Sequence, residues 1–337
     1  MASEPQVIIS GFADEAANNK TAVEQFAAFA ALGLQYYTIR FIDVGNGVKN
    51  VMQLNKAEIR RIRSLQSEYG LNVSSIGSPI GKVKLKNVKD GTQNRFVAWK
   101  KYLDKDVRRA CELAHAFETK LIRGFSFYHP KGKDPREFLS QTVDQLGQIA
   151  EMCHRSDLTF GLEVEVNLVG QNGTLLHEIH RQVNHPALVI IFDVANLLAQ
   201  GYSVTQVYEE YLAVKHAIGW LHIKDYFDPN ISSQRKGFVD SDSLMNFVPA
   251  DLGGGAHDLI LRDFRDSLPK LERKLRKRGV PGVFVDLEPH VKGGGQFGGF
   301  SGPDGMGVAL RGFCKVLDYL DIGYRLRDFE DVKAARG

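Results

Sequence analysis

Cysteine is scarce in this chain, and net charge is close to zero. The 337 residues include only three cysteines, Cys111, Cys153 and Cys314. Because they are odd in number and far apart, they show neither a disulfide framework nor a Cys-x-x-Cys metal pair, which favours a reducing compartment. The 43 basic and 40 acidic side chains leave a formal charge of +3. So balanced a composition does not indicate a nucleic-acid-binding surface.

Long apolar runs are also missing. No window reaches the roughly 18 apolar residues of a membrane-spanning helix. The first residues, Met1–Gln6, carry neither the basic region nor the apolar stretch that is typical of an export signal. We therefore expect a cytoplasmic protein without a membrane partner.

The chain does contain a repeated alternation of short apolar runs and longer helical patterns. The predicted strands are Val7–Phe12, Gln35–Arg40, Asn72–Gly77, Lys120–Phe125, Thr159–Val166, Ala187–Asp193, Ile218–Ile223 and Val283–Glu288. The helical patterns include Thr21–Leu32, Lys56–Tyr69, Trp99–Phe117, Phe138–Ser156, Ser203–Lys215, Leu259–Arg278 and Met306–Leu320. Repeated strand–helix units predict a parallel sheet covered by helices, and eight of them close a (β/α)8 TIM barrel.

We therefore predict an α/β protein, a single (β/α)8 TIM barrel that spans residues 1–337. Long loops at about 224–258 and 292–305 would emerge at the mouth, the end of the barrel where the strands have their carboxyl ends. An open doubly wound sheet is the alternative. It would normally carry a glycine-rich first turn, but this turn reads Gly11-Phe-Ala-Asp-Glu15, which is not a GxGxxG motif.

Ionisable side chains end four consecutive predicted strands. They are Glu163 or Glu165, then Asp193, His222 and Glu288. Alone, each acidic residue is more readily explained as a helix cap or a solvated charge, and His222 as a core or loop histidine. Buried charges that converge require neutralisation, however, and a divalent cation supplies it. Three carboxylates and one imidazole suit Mn²⁺ or Mg²⁺, with Co²⁺ as a further candidate, better than a structural zinc. Spacing does not choose between Glu163 and Glu165, which share one strand face.

Four strings resemble, in chain order, the sugar phosphate isomerase/epimerase family of xylose isomerase-like TIM barrels. They are Leu162-Glu163, Phe192-Asp193-Val-Ala-Asn196, His222-Ile-Lys-Asp225 and Glu288-Pro-His290. The resemblance implies a metal-dependent isomerase or epimerase, most readily with Mn²⁺, that acts on a sugar, keto-sugar or inositol derivative. It implies Glu163, Asp193, His222 and Glu288 as metal ligands. It also implies Glu163 and Glu288 as the acid/base pair, which would transfer an α-proton through a cis-enediolate.

The chain departs from the best-understood ketose epimerases at two positions. Those enzymes carry a substrate-binding histidine shortly after the aspartate of the sixth strand, where this chain has Asn196, and an arginine after the histidine of the seventh, where it reads Lys224-Asp-Tyr-Phe-Asp228. Asn196 and Lys224 are therefore predicted to contact a substrate other than a simple free ketohexose.

Other residues near the predicted mouth are candidates for substrate contact. Lys82 and Arg123 would hold an anion or a hydroxyl group, and His129 would add an acid/base group. The segment Gly253-Gly-Gly-Ala-His257-Asp258 resembles a family segment near the substrate, which implies a contact from His257.

Elimination is the alternative chemistry. The same α-proton acidity would serve a lyase, hydratase or deglycosidase acting on 3-keto-glycosides, which in some similar barrels works with a small partner subunit, and His129 would then be the extra base. DNA repair of the endonuclease IV type would need several histidines at the strand ends, which supply mainly His222. A sugar-binding barrel without catalysis is a further alternative. We expect a small carbohydrate substrate and no nucleic acid, and leave open a homo-oligomer or a small partner subunit.

Overall fold

The computed structural model describes residues 4–228, 239, 245–292 and 300–336. Its parallel strands are β1 (Ile8–Gly11), β2 (Tyr36–Ile39), β3 (Asn72–Ile80), β4 (Leu121–Gly124), β5 (Thr159–Glu163), β6 (Leu188–Asp193), β7 (Ile218–Ile223) and β8 (Phe284–Leu287). The helices that follow each strand in turn are α1 (Ala22–Ala31), α2 (Lys56–Glu68), α3 (Trp99–Tyr102 and Arg108–Ala116, joined by a π-helical turn at Leu103–Val107), α4 (Leu139–Arg155), α5 (Gly173–Val183), α6 (Val204–Val214), α7 (His257–Arg276) and α8 (Gly302–Tyr319). The predicted (β/α)8 barrel is confirmed.

The strands form one nearly closed sheet. The hydrogen-bonded order runs β1-β8-β7-β6-β5-β4-β3-β2, and an isolated parallel bridge from Phe12 to Thr38 joins its two ends. The register aligns Asp193 with His222, and His222 with Asp286. The sheet therefore places polar residues of β6, β7 and β8 at the same height in the barrel.

Local sequence explains where the helices begin. The hydroxyl of Thr21 accepts a hydrogen bond from the Glu24 amide before α1, and Asn55 and Glu58 form a capping box at the start of α2. Every residue of β6 and β7 is buried, as expected of parallel strands that are covered on both faces.

The interior below the mouth is packed with aromatic side chains. Trp220 lies on the same face of β7 as His222, and Gly161 lies on the same face of β5 as Glu163. A Cβ atom at Gly161 would lie 2.1 Å from the Trp220 ring, so only glycine leaves room for the indole. Tyr36 and Phe284 pack edge to face, with ring centroids 5.1 Å apart. This apolar layer supports the strand ends above it.

Three features differ from the predicted pattern. Helix α5 was not among the predicted helices, although Asn172 caps it. The first predicted loop contains a pair of short antiparallel strands, Asp225–Tyr226 and Phe247–Val248. The second predicted loop ends at Ser301, earlier than predicted, because Ser301 is the N-cap of α8. Residues 229–238, 240–244 and 293–299 of these loops lie outside the described residues. Within the described ranges, no helix combines the length and apolarity needed to cross a membrane.

Candidate metal centre and active site

The predicted ligands Glu163, Asp193, His222 and Glu288 meet at the mouth. Glu163 and Asp193 are the last residues of β5 and β6, His222 is the fifth residue of β7, and Glu288 follows β8. One oxygen or nitrogen atom of each lies within 4.8 Å of the other three, and all four side chains are buried. We call these four residues the metal cluster.

Hydrogen bonding within the protein does not satisfy this cluster. Glu163 Oε1, Asp193 Oδ2 and His222 Nδ1 are buried, and in the described part of the chain they have no hydrogen bond of normal geometry. His222 Nδ1 lies 3.2 Å from Glu163 Oε1 and 3.7 Å from Glu288 Oε2. Buried polar atoms in this state are costly unless a ligand reaches them. Oxygen donors with one imidazole nitrogen fit a divalent cation.

Three buried cations adjoin the carboxylates. Arg123 donates from Nε to Glu163, and its Nη2 lies 3.5 Å from Glu288 Oε1. Arg40 Nη1 lies 2.6 Å from the same Glu288 oxygen. Lys224 Nζ lies 3.0 Å from Asp193 Oδ2 and 3.1 Å from Glu288 Oε2. The cations favour the ionised form of Glu163 and Glu288.

The acidities of the ligands differ because their neighbours differ. Burial by itself raises the pKa of Glu163, but Arg123 and His222 outweigh burial and bring that pKa to about 2. Glu288 is also buried, and Lys224 and Arg123 hold its pKa well below the usual range. Burial raises the pKa of Asp193 to about 6, because Lys224 only partly offsets it. Glu163 and Glu288 are therefore ionised at neutral pH, whereas Asp193 retains a proton more readily.

The structure separates the two glutamates that spacing leaves equivalent, because β5 ends at Glu163 and not at Val166 as predicted. Glu163 lies in the metal cluster, whereas Glu165 Oε2 accepts a hydrogen bond from Lys82 at 2.7 Å. The Lys82 ammonium also lies 4.3 Å from the ring centroid of Phe125. Lys82 is thus held beside the cluster by Glu165 and does not contact it directly.

A carboxylate outside the predicted set lies behind His222. His222 Nε2 is 4.0 Å from Asp286 Oδ2, which accepts a hydrogen bond from Thr38 Oγ1 at 3.0 Å. This carboxylate lies beyond hydrogen-bonding distance on the side of the ring away from Glu163, where its charge would favour a proton on Nε2 and leave Nδ1 free for a cation. Asp286 shares a strand face with Glu288, and that spacing could have identified it from the sequence.

The side chains of three other predicted site residues lie within hydrogen-bonding distance of backbone carbonyl groups. The His129 ring stacks on Phe138, and its Nδ1 lies 3.1 Å from the carbonyl of Pro130. The buried Asn196 amide donates to the Val164 carbonyl at 2.9 Å. His257 Nε2 lies 3.2 Å from the carbonyl of Lys224. Their roles in acid/base chemistry or substrate binding stay predictions.

A family model now identifies the fold more closely. The model of the xylose isomerase-like TIM barrel matches residues 26–311. The chain belongs to this family. No curated protein sequence matches it.

Solved structures show the same xylose isomerase-like fold. D-Allulose 3-epimerase from Methylomonas sp. is 16% identical, with a TM-score of 0.60 and coverage of 94% of this chain and 100% of that one. A xylose isomerase-like TIM barrel protein from Mycobacterium smegmatis, in complex with magnesium, is 15% identical, with a TM-score of 0.61 and coverage of 99% and 98%. The IOLI protein with a bound zinc atom is 12% identical, with a TM-score of 0.65 and coverage of 93% and 99%.

A cavity of about 330 Å³ opens beside the metal cluster of this xylose isomerase-like barrel. Its polar wall includes Arg40, Lys82, Arg123, Glu288 and His290, and its apolar wall includes Pro79, Phe125 and Tyr128. The volume suits a small molecule, and polar groups on one side with aromatic rings on another are typical of a binding pocket.

Sequence reasoning did not identify the residues around Arg40. Asp14 and Glu15 lie in a short 3₁₀ turn after β1, Arg40 follows β2, and His290 lies beyond β8. Glu15 accepts hydrogen bonds from the His290 amide at 2.9 Å and from the Ser301 hydroxyl at 3.0 Å. Arg40 was the last residue of a predicted strand, so the strand-end rule that located the ligands could have included it.

Proposed function

We propose that this protein is a divalent-metal-dependent isomerase or epimerase that acts on a sugar, keto-sugar or inositol derivative. The observation that carries this proposal is the convergence of four buried side chains that could bind a metal. Three of their potential ligand atoms, two carboxylate oxygens and one imidazole nitrogen, lack a hydrogen bond within the described ranges of the chain. Mn²⁺ is the proposed ion, and Mg²⁺ or Co²⁺ would suit the same donors. The epimerase among the solved structures supports a carbohydrate substrate.

In this proposal Glu163, Asp193, His222 and Glu288 hold the ion. A divalent cation bound there would polarise a substrate carbonyl and acidify the neighbouring C–H group. Glu163 and Glu288 come from different strands, and both are ionised. One of them removes the α-proton. The other carboxylate, once it has taken up a proton from solvent, then returns a proton to the opposite face of the resulting cis-enediolate, or the first carboxylate returns its own proton to the adjacent carbon. The first outcome is epimerisation, and the second is isomerisation.

The other charged residues would position the substrate. Arg123 contacts both proposed acid/base carboxylates, and Lys82 lines the cavity beside them. Both can donate hydrogen bonds to substrate hydroxyl groups, while the aromatic wall packs against the C–H face of a sugar ring. Their predicted role in substrate binding is retained here.

Exchange of the substrate's α-proton with solvent tests the proposal whichever product forms. Metal-free protein is loaded with Mn²⁺, Mg²⁺ or Co²⁺ and incubated in D₂O with a panel of ketoses, keto-sugars and inososes. We expect NMR to show deuterium at the carbon next to the carbonyl, and epimer or isomer formation, for at least one substrate. Chelation should abolish exchange, and added metal should restore it. Exchange that is unchanged after complete metal removal would refute the proposal.

Elimination remains a second candidate because of Lys224. Its ammonium lies about as close to Asp193 as to Glu288, at 3.0 and 3.1 Å, and these carboxylates raise its pKa, so a permanent positive charge beside the base would stabilise a departing anionic group. A 3-keto-glycoside distinguishes the two reactions. Release of the aglycone indicates elimination, whereas an epimerised glycoside with the bond intact indicates the first candidate.

A further inference from the structure

A second group of potential metal ligands adjoins the metal cluster. Glu15, Glu288 and His290 are buried, and one donor atom of each lies within 4.8 Å of the others. Glu288 belongs to both groups. Judged by residue type alone, the two groups together would suit a pair of ions bridged by Glu288.

The guanidinium of Arg40 lies among the carboxylates of this second group. Its Nη2 lies 3.0 Å from Glu15 Oε1 and 3.1 Å from Asp14 Oδ2, and its Nη1 lies 2.6 Å from Glu288 Oε1. Nε lies 3.2 Å from Asp14 Oδ1. All three guanidinium nitrogens therefore contact carboxylates, and the side chain is only 6% exposed.

The two oxygens of Glu288 are divided between the groups. Oε1 faces Arg40, whereas Oε2 lies 3.7 Å from His222 Nδ1 in the metal cluster. An ion in the metal cluster can therefore use Oε2 while Arg40 keeps Oε1. A second ion beside Glu15 would instead have to displace the guanidinium from three carboxylates.

Lys224 is the cation beside the metal cluster, and it differs from Arg40 in the way it contacts its partners. It contacts Asp193 and Glu288 through a single nitrogen on a flexible stem, and it leaves Glu163 Oε1 and His222 Nδ1 without a hydrogen bond. Its ammonium can move aside when an ion binds. The Arg40 guanidinium is planar, contacts its partners from several directions and does not lose its charge in proteins, so it excludes a divalent ion from the space among Asp14, Glu15 and Glu288. Arg123 is also a guanidinium, but it contacts Glu163 through Oε2 and leaves Oε1 without a hydrogen bond.

We propose that Arg40 is a built-in cation that takes the place of a second metal ion and limits the centre to one divalent ion per chain. The inference rests on the proposed function, because it requires an ion at Glu163, Asp193, His222 and Glu288. It also determines the class of chemistry. A centre with one ion suits carbon-acid reactions, and the clamping of an attacking and a leaving oxygen by two ions is not available.

Metal stoichiometry tests this inference. Wild-type protein and variants are purified with Mn²⁺ and dialysed, and bound manganese per chain is measured by plasma mass spectrometry. We expect one ion in the wild type and two in R40M, with the EPR spectrum of R40M showing a spin-coupled manganese pair instead of an isolated ion. R40K replaces the planar guanidinium with a flexible ammonium that, like Lys224, can move aside, so it should bind a second ion, but more weakly than R40M.

Two further variants locate the effect. R95M removes another arginine that lines the same cavity but pairs with Asp106 at 3.2 Å, and it should hold one ion. The double variant R40M/E15Q loses a ligand of the second group and should return to one ion.

Each other result has a definite meaning. A wild-type chain without an ion refutes the proposed metal centre, and with it this inference. One ion in both the wild type and R40M, or two in the wild type, refutes only the role of Arg40. An R40M chain that stays unfolded even with Mn²⁺ also overturns that role, because the ion should be able to replace the guanidinium charge.

Discussion

The two ends of the barrel interior are built from the same strands but hold opposite kinds of side chain. β7 carries Trp220 in the lower layer and His222 at the mouth, and β5 carries Gly161 and Glu163 at the same two levels. Below, an indole packs directly over a glycine. At the mouth, Glu163 Oε1 and His222 Nδ1 lack hydrogen bonds to any described residue. Stability and chemistry are thus separated by two residues along a strand, and substitutions in the two layers should have different consequences.

The largest expected effect is at the mouth. E163Q removes a ligand and a proposed base, so we expect activity to fall by about 10²- to 10⁴-fold and manganese to bind more weakly in calorimetric titrations. The unfolding midpoint of the metal-free protein should fall, because the buried Arg123 loses its ion pair, although the glutamine amide oxygen can still accept its hydrogen bond. E165Q is the matched control, because that carboxylate pairs with Lys82 outside the cluster. Loss of metal in E165Q but not in E163Q would contradict the ligand assignment.

The lower layer should respond in a different way. W220A leaves a cavity over Gly161, and we expect the free energy of unfolding to fall by about 3–5 kcal/mol, measured by urea denaturation of the metal-free protein. The folded variant should still bind one manganese ion per chain. Y208A truncates a half-buried tyrosine on α6, stacked on Tyr211, and should cost less. A folded W220A that cannot bind metal would show that the two layers are not separable.

An intermediate effect is expected from the carboxylate behind His222. D286N keeps the shape of the side chain but weakens the interaction that orients the imidazole, so manganese affinity should fall by about 10- to 100-fold. D263N is the control, because Asp263 pairs with Lys215 and Tyr211 away from the metal cluster. Equal affinity in D286N and the wild type would leave Asp286 without a role in orienting His222.

The smallest effect is expected at the cavity wall. K82M removes an ammonium that lies beside the metal cluster without contacting it, so KM should rise by about tenfold at most while metal affinity stays the same. K84M is the control, since Lys84 is two residues away and pairs with Asp90. A loss of metal in K82M would place Lys82 within the ion-binding machinery instead.

Strand alternation predicted the fold and three members of the metal cluster, whereas the choice of Glu163 over Glu165 came from the family resemblance. Parallel strands bring their carboxyl ends to one edge, so acidic residues and a histidine that follow apolar runs converge there. Arg40, Glu15 and His290 were missed because their contacts join segments up to 275 residues apart and depend on how the barrel closes. Asp286 was within reach of the same reasoning, because it shares a face with Glu288.

The closure of the barrel gives Arg40 a mechanical role as well. Ladders of backbone hydrogen bonds join all the other neighbouring strands of the barrel. In the described residues β1 and β2 are connected instead by the single bridge from Phe12 to Thr38. Arg40 extends from the end of β2 to Asp14 and Glu15, which follow β1, so its ion pairs span this seam and act as a clasp. Ion pairs between side chains thus stabilise the barrel where β1 and β2 share few main-chain hydrogen bonds.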